Sequence, residues 1–126
     1  MDTNSMLGVM SMAVIVLNND LKKLSNRIVM SADISDRALF GMDFGETAFS
    51  KKMNEVSKHN DLVNFVISNI ENQTEECQNR FVGLVKDREM NGYTLPQNVV
   101  IVFPVDSKAS IQKISKELYR FCDILF

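Results

Sequence analysis

The sequence predicts a small mixed α and β (α+β) domain in which two or three strands are covered by one long central helix and a C-terminal helix. Three observations carry this. Asn98-Val99-Val100-Ile101-Val102-Phe103 is apolar at both parities, the pattern of a strand with both faces covered. Leu62, Val66, Ile70, Gln73, Cys77, Phe81 and Leu84 step by three or four residues, which places them on one helical face. Ile111, Ile114, Leu118, Phe121 and Leu125 repeat that spacing near the C-terminus.

In chain order, residues 1 to 5 read as a frayed end. From Met6 two templates fit. Val14-Ile15-Val16-Leu17 is β-branched and apolar on both faces, which suits a buried strand ending at the turn signal Asn18-Asn19-Asp20. Leu7, Met10, Val14, Leu17, Leu21, Leu24 and Ile28 also form a heptad seam, the basis of an alternative all-α bundle packed on Leu62 to Leu84. Propensity favours the strand over Met12 to Leu17, with Arg27-Ile28-Val29-Met30 as a second, shorter one. Asp36 to Phe40 reads as a helical turn, and Gly41 with Gly45 as a bend. Glu46 to His59 reads as a helix with Phe49, Met53 and Val56 inward. The long helix then starts at the Asn60-Asp61 corner and closes at Gly92, where Leu95-Pro96 cannot extend it. Asp106 or Ser107 caps the last helix.

A continuous helix over 61–91 would be about 45 Å long. A compact domain of this size has a diameter of about 36 Å, so such a rod must bend, break or project. With 126 residues, 45% of them apolar, and no linker or repeat, residues 1–126 read as a single domain that folds without disulfides. A formal charge of −2 gives no overall field toward nucleic acid or an anionic membrane. The run Met6 to Leu17, about 12 residues, is shorter than the roughly 20 that span a bilayer. Met1 to Ser5 holds Asp2 and no cation, unlike a secretory leader, so a cytoplasmic location is expected.

Chemistry-bearing patterns are sparse. The two cysteines, Cys77 and Cys122, read as buried thiols, and with one histidine they cannot build a zinc site. His59, in a polar stretch, reads as a solvated side chain with no nucleophile beside it. No phosphate-cradling glycine loop is present and Asp43-Phe44-Gly45 is a chance match to the kinase triplet, so no catalytic residue, metal ligand or cofactor is assigned. Asp20 and Asp106 follow apolar segments. As acids beyond strand ends they would suit a magnesium ion, but a turn residue and a helix cap explain them more simply. Lys113, Lys116 and Arg120 form a weak basic stripe interleaved with Glu117 and Asp123.

The preferred functional spot is the segment Phe40-Gly41-Met42-Asp43-Phe44-Gly45, where Phe40, Met42 and Phe44 offer apolar groups to a partner. The expectation is therefore a regulatory, non-enzymatic protein-interaction module, a subunit, inhibitor, antitoxin-like or chaperone-like protein. It would dimerise or dock a protein through the long helix and this apolar loop. The alternatives are a small-ligand or nucleotide sensor at strand ends near Asp20 and Asp106, and a weak nucleic-acid binder using the last helix.

Overall fold

The computed structural model describes residues 12–41 and 47–126. The chain enters β1 (Ala13–Leu17), whose β-branched run Val14-Ile15-Val16 is buried on both faces. After the 3-10 turn Asn18–Lys23 comes β2 (Arg27–Ser31), alternately exposed and buried over Arg27 to Met30. Ser35 caps the short helix α1 (Asp36–Phe40) by accepting the Ala38 N–H. Thr47 and Ser50 form a reciprocal capping box at the start of α2 (Ala48–Ser57). Then follow β3 (Val63–Ser68), the 3-10 turn Ile70–Asn72, α3 (Glu75–Asn79) and α4 (Val82–Asp87). β4 (Glu89–Met90) and β5 (Tyr93–Thr94) form an antiparallel hairpin. β6 (Val99–Val105), the 3-10 turn Lys108–Lys113, α5 (Lys116–Tyr119) and β7 (Asp123–Ile124) complete the chain.

Five strands make one parallel sheet in the order β2-β3-β6-β1-β7. Parallel neighbours need crossovers, and right-handed crossovers assign each connection to a face. From β1 to β2 the chain moves across the sheet in one direction. Every later step, from β2 through β3 and β6 to β7, moves in the other. The first connection therefore lies on one face and the remaining connections on the opposite face. Burial agrees: Leu21 and Leu24 pack on a small cluster of Val14, Val16, Val66, Val100 and Val102. The large core on the other face joins Ile15, Ile28, Phe65, Ile101 and Phe103 to Leu39, Phe49, Met53, Val56, Phe81, Leu84 and Leu118 from the helices. Pro104 fits inside β6 because it lies beyond the last β3 pair, Val66 with Val102, where no ladder bond on that side needs its N–H.

This architecture corrects the sequence expectation. The sheet has five parallel strands rather than two or three, and the all-α bundle is excluded because Ala13 to Leu17 is a strand. No long central helix is present among the described residues. The residues assigned to it divide into β3, a 3-10 turn, α3, α4 and the β4–β5 hairpin. The stripe from Leu62 to Leu84 shared its spacing with a helix by coincidence, since Val63 to Ile67 is buried at every position and so satisfies period two and period 3.6 alike. Thr74 starts a new helix by accepting the Cys77 N–H. Asn91 and Gly92 have φ of 55° and 81°, as a two-residue hairpin turn with left-handed central residues requires, so Gly92 closes a hairpin and not a helix. The expected C-terminal helix is likewise a 3-10 turn, a four-residue helix and a two-residue strand. Ile114 and Leu118 are buried as expected, while Leu125 is 40% exposed.

Both cysteines are free, and each is half-buried. Burial, assisted by the charge of Asp123, pushes the Cys122 thiol up to about 12 from its ordinary 9.0. The unfolded chain then sheds this proton before the native chain does, so stability is unaffected below about pH 8 and falls as pH rises from 9 toward 12. At pH 8 Cys122 is expected to resist alkylation in the native protein and to react on unfolding, which peptide mass spectrometry after timed iodoacetamide treatment checks.

Candidate functional site at the carboxyl edge of the sheet

In an open parallel sheet the chain leaves every strand at the same edge, and a crevice opens where neighbouring strands send their connections to opposite faces. Here those neighbours are β1 and β6. The first residue beyond β1 is Asn18 and the first beyond β6 is Asp106, and the Asn18 Nδ2 donates to Asp106 Oδ1 across the crevice. The third contributor comes from beyond β3. Asn69, left-handed at φ 64°, turns the chain into the 3-10 turn Ile70–Asn72, which brings Glu71 against the segment leaving β6. Glu71 Oε1 accepts the Asp106 backbone N–H at 3.0 Å.

Glu71 is the unusual member. It is only 6% exposed, and its Oε2 is buried with no hydrogen-bond partner. Among the described residues no cation pairs with Glu71 or Asp106, since the ion pairs are Lys23–Asp20, Lys52–Glu55, Arg80–Asp36 and Arg120–Glu117. Burying a carboxylate oxygen without a donor or a cation is costly, which sets Glu71 apart from the other acids of this edge. Asp106 and Asn18 are exposed beside it. Among the described residues no set of three or more His, Cys, Asp and Glu gathers to enclose a metal.

The segments that carry Glu71 and Asp106 are fastened to each other. Gln78, 1% exposed, donates from Nε2 to Gln73 O and Lys113 O and accepts the Ser115 N–H on Oε1 at 2.6 Å. Ser115 in turn caps α5 and donates to Asn79. These bonds clamp the segment after β3 to the segment after β6, the two that deliver Glu71 and Asp106. Ser107 and Ser110 form a further capping box at the start of the Lys108–Lys113 turn. The expected cap at Asp106 or Ser107 therefore falls to Ser107, which leaves the Asp106 carboxylate facing Asn18.

The residues singled out from sequence divide accordingly. Phe40 ends α1, is 39% exposed and lines a groove of about 290 Å³ with Asp36, Glu76, Cys77 and Arg80. Met42 and Phe44, with the rest of 42–46, lie outside the described residues. Arg80 is not free to act in that groove, because its guanidinium already serves Asp36, Ile34 O, Ala32 O and Cys77 O. Asp20 sits in the turn after β1 and pairs with Lys23 at 3.0 Å. His59 is exposed just past α2, with its backbone carbonyl accepting from Asn98. The basic stripe is not one face of a helix: Lys113 ends a 3-10 turn, while Arg120 pairs with Glu117 and stacks on Phe121. Glu71 was missed because it fell inside the misassigned helix. The run Val63 to Ile67 followed by Ser-Asn-Ile-Glu-Asn carried the signal, a fully buried strand with a polar exit like those of β1 and β6.

Fold and site together define an open parallel α/β domain with Asn18, Glu71 and Asp106 gathered where its connections diverge. No protein-family model and no curated protein sequence matches the chain. No helix among the described residues is long and apolar enough to cross a membrane.

Proposed function

We propose that this domain is a non-catalytic small-ligand-binding module, with a polar ligand seated at the carboxyl edge between β1 and β6. The observation that carries this is Glu71, a buried carboxylate whose second oxygen has no partner and which sits where open parallel sheets bind ligands. Asn18 and Asp106 add an amide and a carboxylate at the mouth, so the complementary ligand presents hydroxyl or amine donors, or carries a cation. Binding is favoured over catalysis by what surrounds these groups, since His59 lies after α2 at the start of β3, away from the carboxyl edge.

Amide chemical-shift mapping against nucleotides, sugar phosphates, amino acids and polyamines tests the proposal. Saturable shifts are expected over residues 18–20, 69–72 and 105–108. Shifts confined elsewhere, or none across the whole panel, would remove it.

A second role, docking a protein partner or a second copy, is favoured by one observation, the exposure of Phe40 at the wall of its groove. The protruding rod that also motivated it is absent. Sedimentation of the native chain beside Phe40→Asp decides this role: association lost in the variant supports it, and monomers in both remove it.

A further inference from the structure

We infer that the outer edge of β2 is a self-association surface, on which the β2 of a second copy of this chain pairs antiparallel about a two-fold axis at Val29. The surface is separate from the carboxyl-edge site and from the Phe40 groove. Among the described residues β2 and β7 are the outer strands of the five-stranded sheet. β7 has two residues and opens on Asp123, the short and charged form in which edges resist pairing. β2 has five residues in unbroken register with β3, and Arg27-Ile28-Val29-Met30-Ser31 contains no proline and no acid. Its one charge is tied to the turn after β1, because the Arg27 guanidinium donates to Leu21 O at 3.1 Å.

Backbone and side chains of β2 both stop short of a partner. The Asn64 N–H donates to Asn26 O and the Ala32 N–H to Ser68 O, so the even-numbered residues of β2 bond β3 in the parallel ladder, and Arg27 and Val29 direct N–H and C=O outward. On the face that carries Leu21 and Leu24, the register sets Val29, Val66, Val102 and Val14 in one row. Val66 and Val102 are 0% exposed and Val14 5%, whereas Val29 is 48% exposed. The row therefore breaks off at the open edge. A second copy fits because the segment is complementary to itself. About a two-fold at Val29, the two valines exchange N–H to C=O bonds and their side chains meet, which carries the row into the second sheet. Arg27 falls opposite Ser31 of the partner subunit and Ile28 opposite Met30 of the partner subunit, so no like charges oppose. A contact of one strand buries less than the roughly 1,000 Å² of a lasting interface, so this dimer is reversible and concentration-dependent.

Sedimentation velocity of the native chain up to about 1 mM, with amide hydrogen exchange read at high and low concentration, tests this. The native chain is expected to dimerise, with the Val29 N–H protected at high concentration and exposed on dilution while those of Ile28 and Met30 stay protected throughout. Val29→Lys sets two ammonium groups against each other and is expected to weaken the dimer at least tenfold. Ser31→Glu sets a carboxylate opposite Arg27 of the partner subunit and is expected to tighten it severalfold, an effect lost in high salt. A monomer throughout, a dimer in which Val29 exchanges freely, or a dimer that survives Val29→Lys or is weakened by Ser31→Glu overturns the inference. Association abolished by Phe40→Asp and untouched by Val29→Lys places the contact in the groove instead, and none of these outcomes bears on the ligand site.

Discussion

Phe65→Ala is expected to lower the unfolding free energy by about 3–5 kcal/mol, a large part of the roughly 5–15 kcal/mol that a domain of this kind possesses. Phe65 is fully buried at the middle of β3, in register with Ile28 on one side and Ile101 on the other. Its ring lies on the face that receives the helices, so truncation leaves a cavity bounded by a hydrogen-bonded sheet that cannot collapse. The change also discriminates between architectures. On an amphipathic helix with inward residues Leu62, Val66 and Ile70, position 65 would point away from the buried stripe, and its truncation would cost less than about 1 kcal/mol. Urea denaturation gives the number directly.

Gln78→Leu is expected to cost about 3 kcal/mol, although it replaces a polar side chain with an apolar one of similar size. The Gln78 amide is buried and serves three backbone groups, Gln73 O, Lys113 O and Ser115 N. Leucine leaves them unpaired, and Ser115, 6% exposed, has little access to water as a substitute. Because this clamp joins the segments that carry Glu71 and Asp106, the loss is expected to spread. Hydrogen exchange should quicken at Ser115 and Asp106 while the protected amides of Ile101 and Phe65 change only with global stability. Loss of less than 1 kcal/mol, with exchange at Asp106 unaltered, would show that the two segments hold their positions without Gln78.

How far the sequence revealed this molecule depended on whether a segment's pattern admitted one period or two. Val99 to Phe103 is apolar at every position and too β-branched for a helix to compete, so the central strand was legible. Ala48 to Ser57 was equally legible, because Phe49, Met53 and Val56 recur at helical spacing between charged residues. Val63 to Ser68 was not, since a fully buried strand has no alternation and its apolar positions fell into step with those of α3 and α4. Once that strand was lost, the third exit from the sheet went with it, and with it Glu71. Asp106 was visible as an acid beyond a strand end, but only the parallel register of β1 with β6 sets it opposite Asn18. The Asn91-Gly92 pair was a hairpin signal overshadowed by the apparent helix around it.

The proposed ligand site depends on Glu71, the buried carboxylate with one oxygen unpartnered. The urea midpoint of Glu71→Gln, in buffer containing a chelator and no added ligand, tests this most directly. Glutamine keeps an oxygen for the Asp106 N–H and replaces the partnerless carboxylate oxygen with a neutral amide, so the variant is expected to be at least as stable as the native chain. A variant less stable by 1 kcal/mol or more would mean that the native carboxylate is already satisfied within the fold and stabilises it, and the crevice would lose its claim to a ligand.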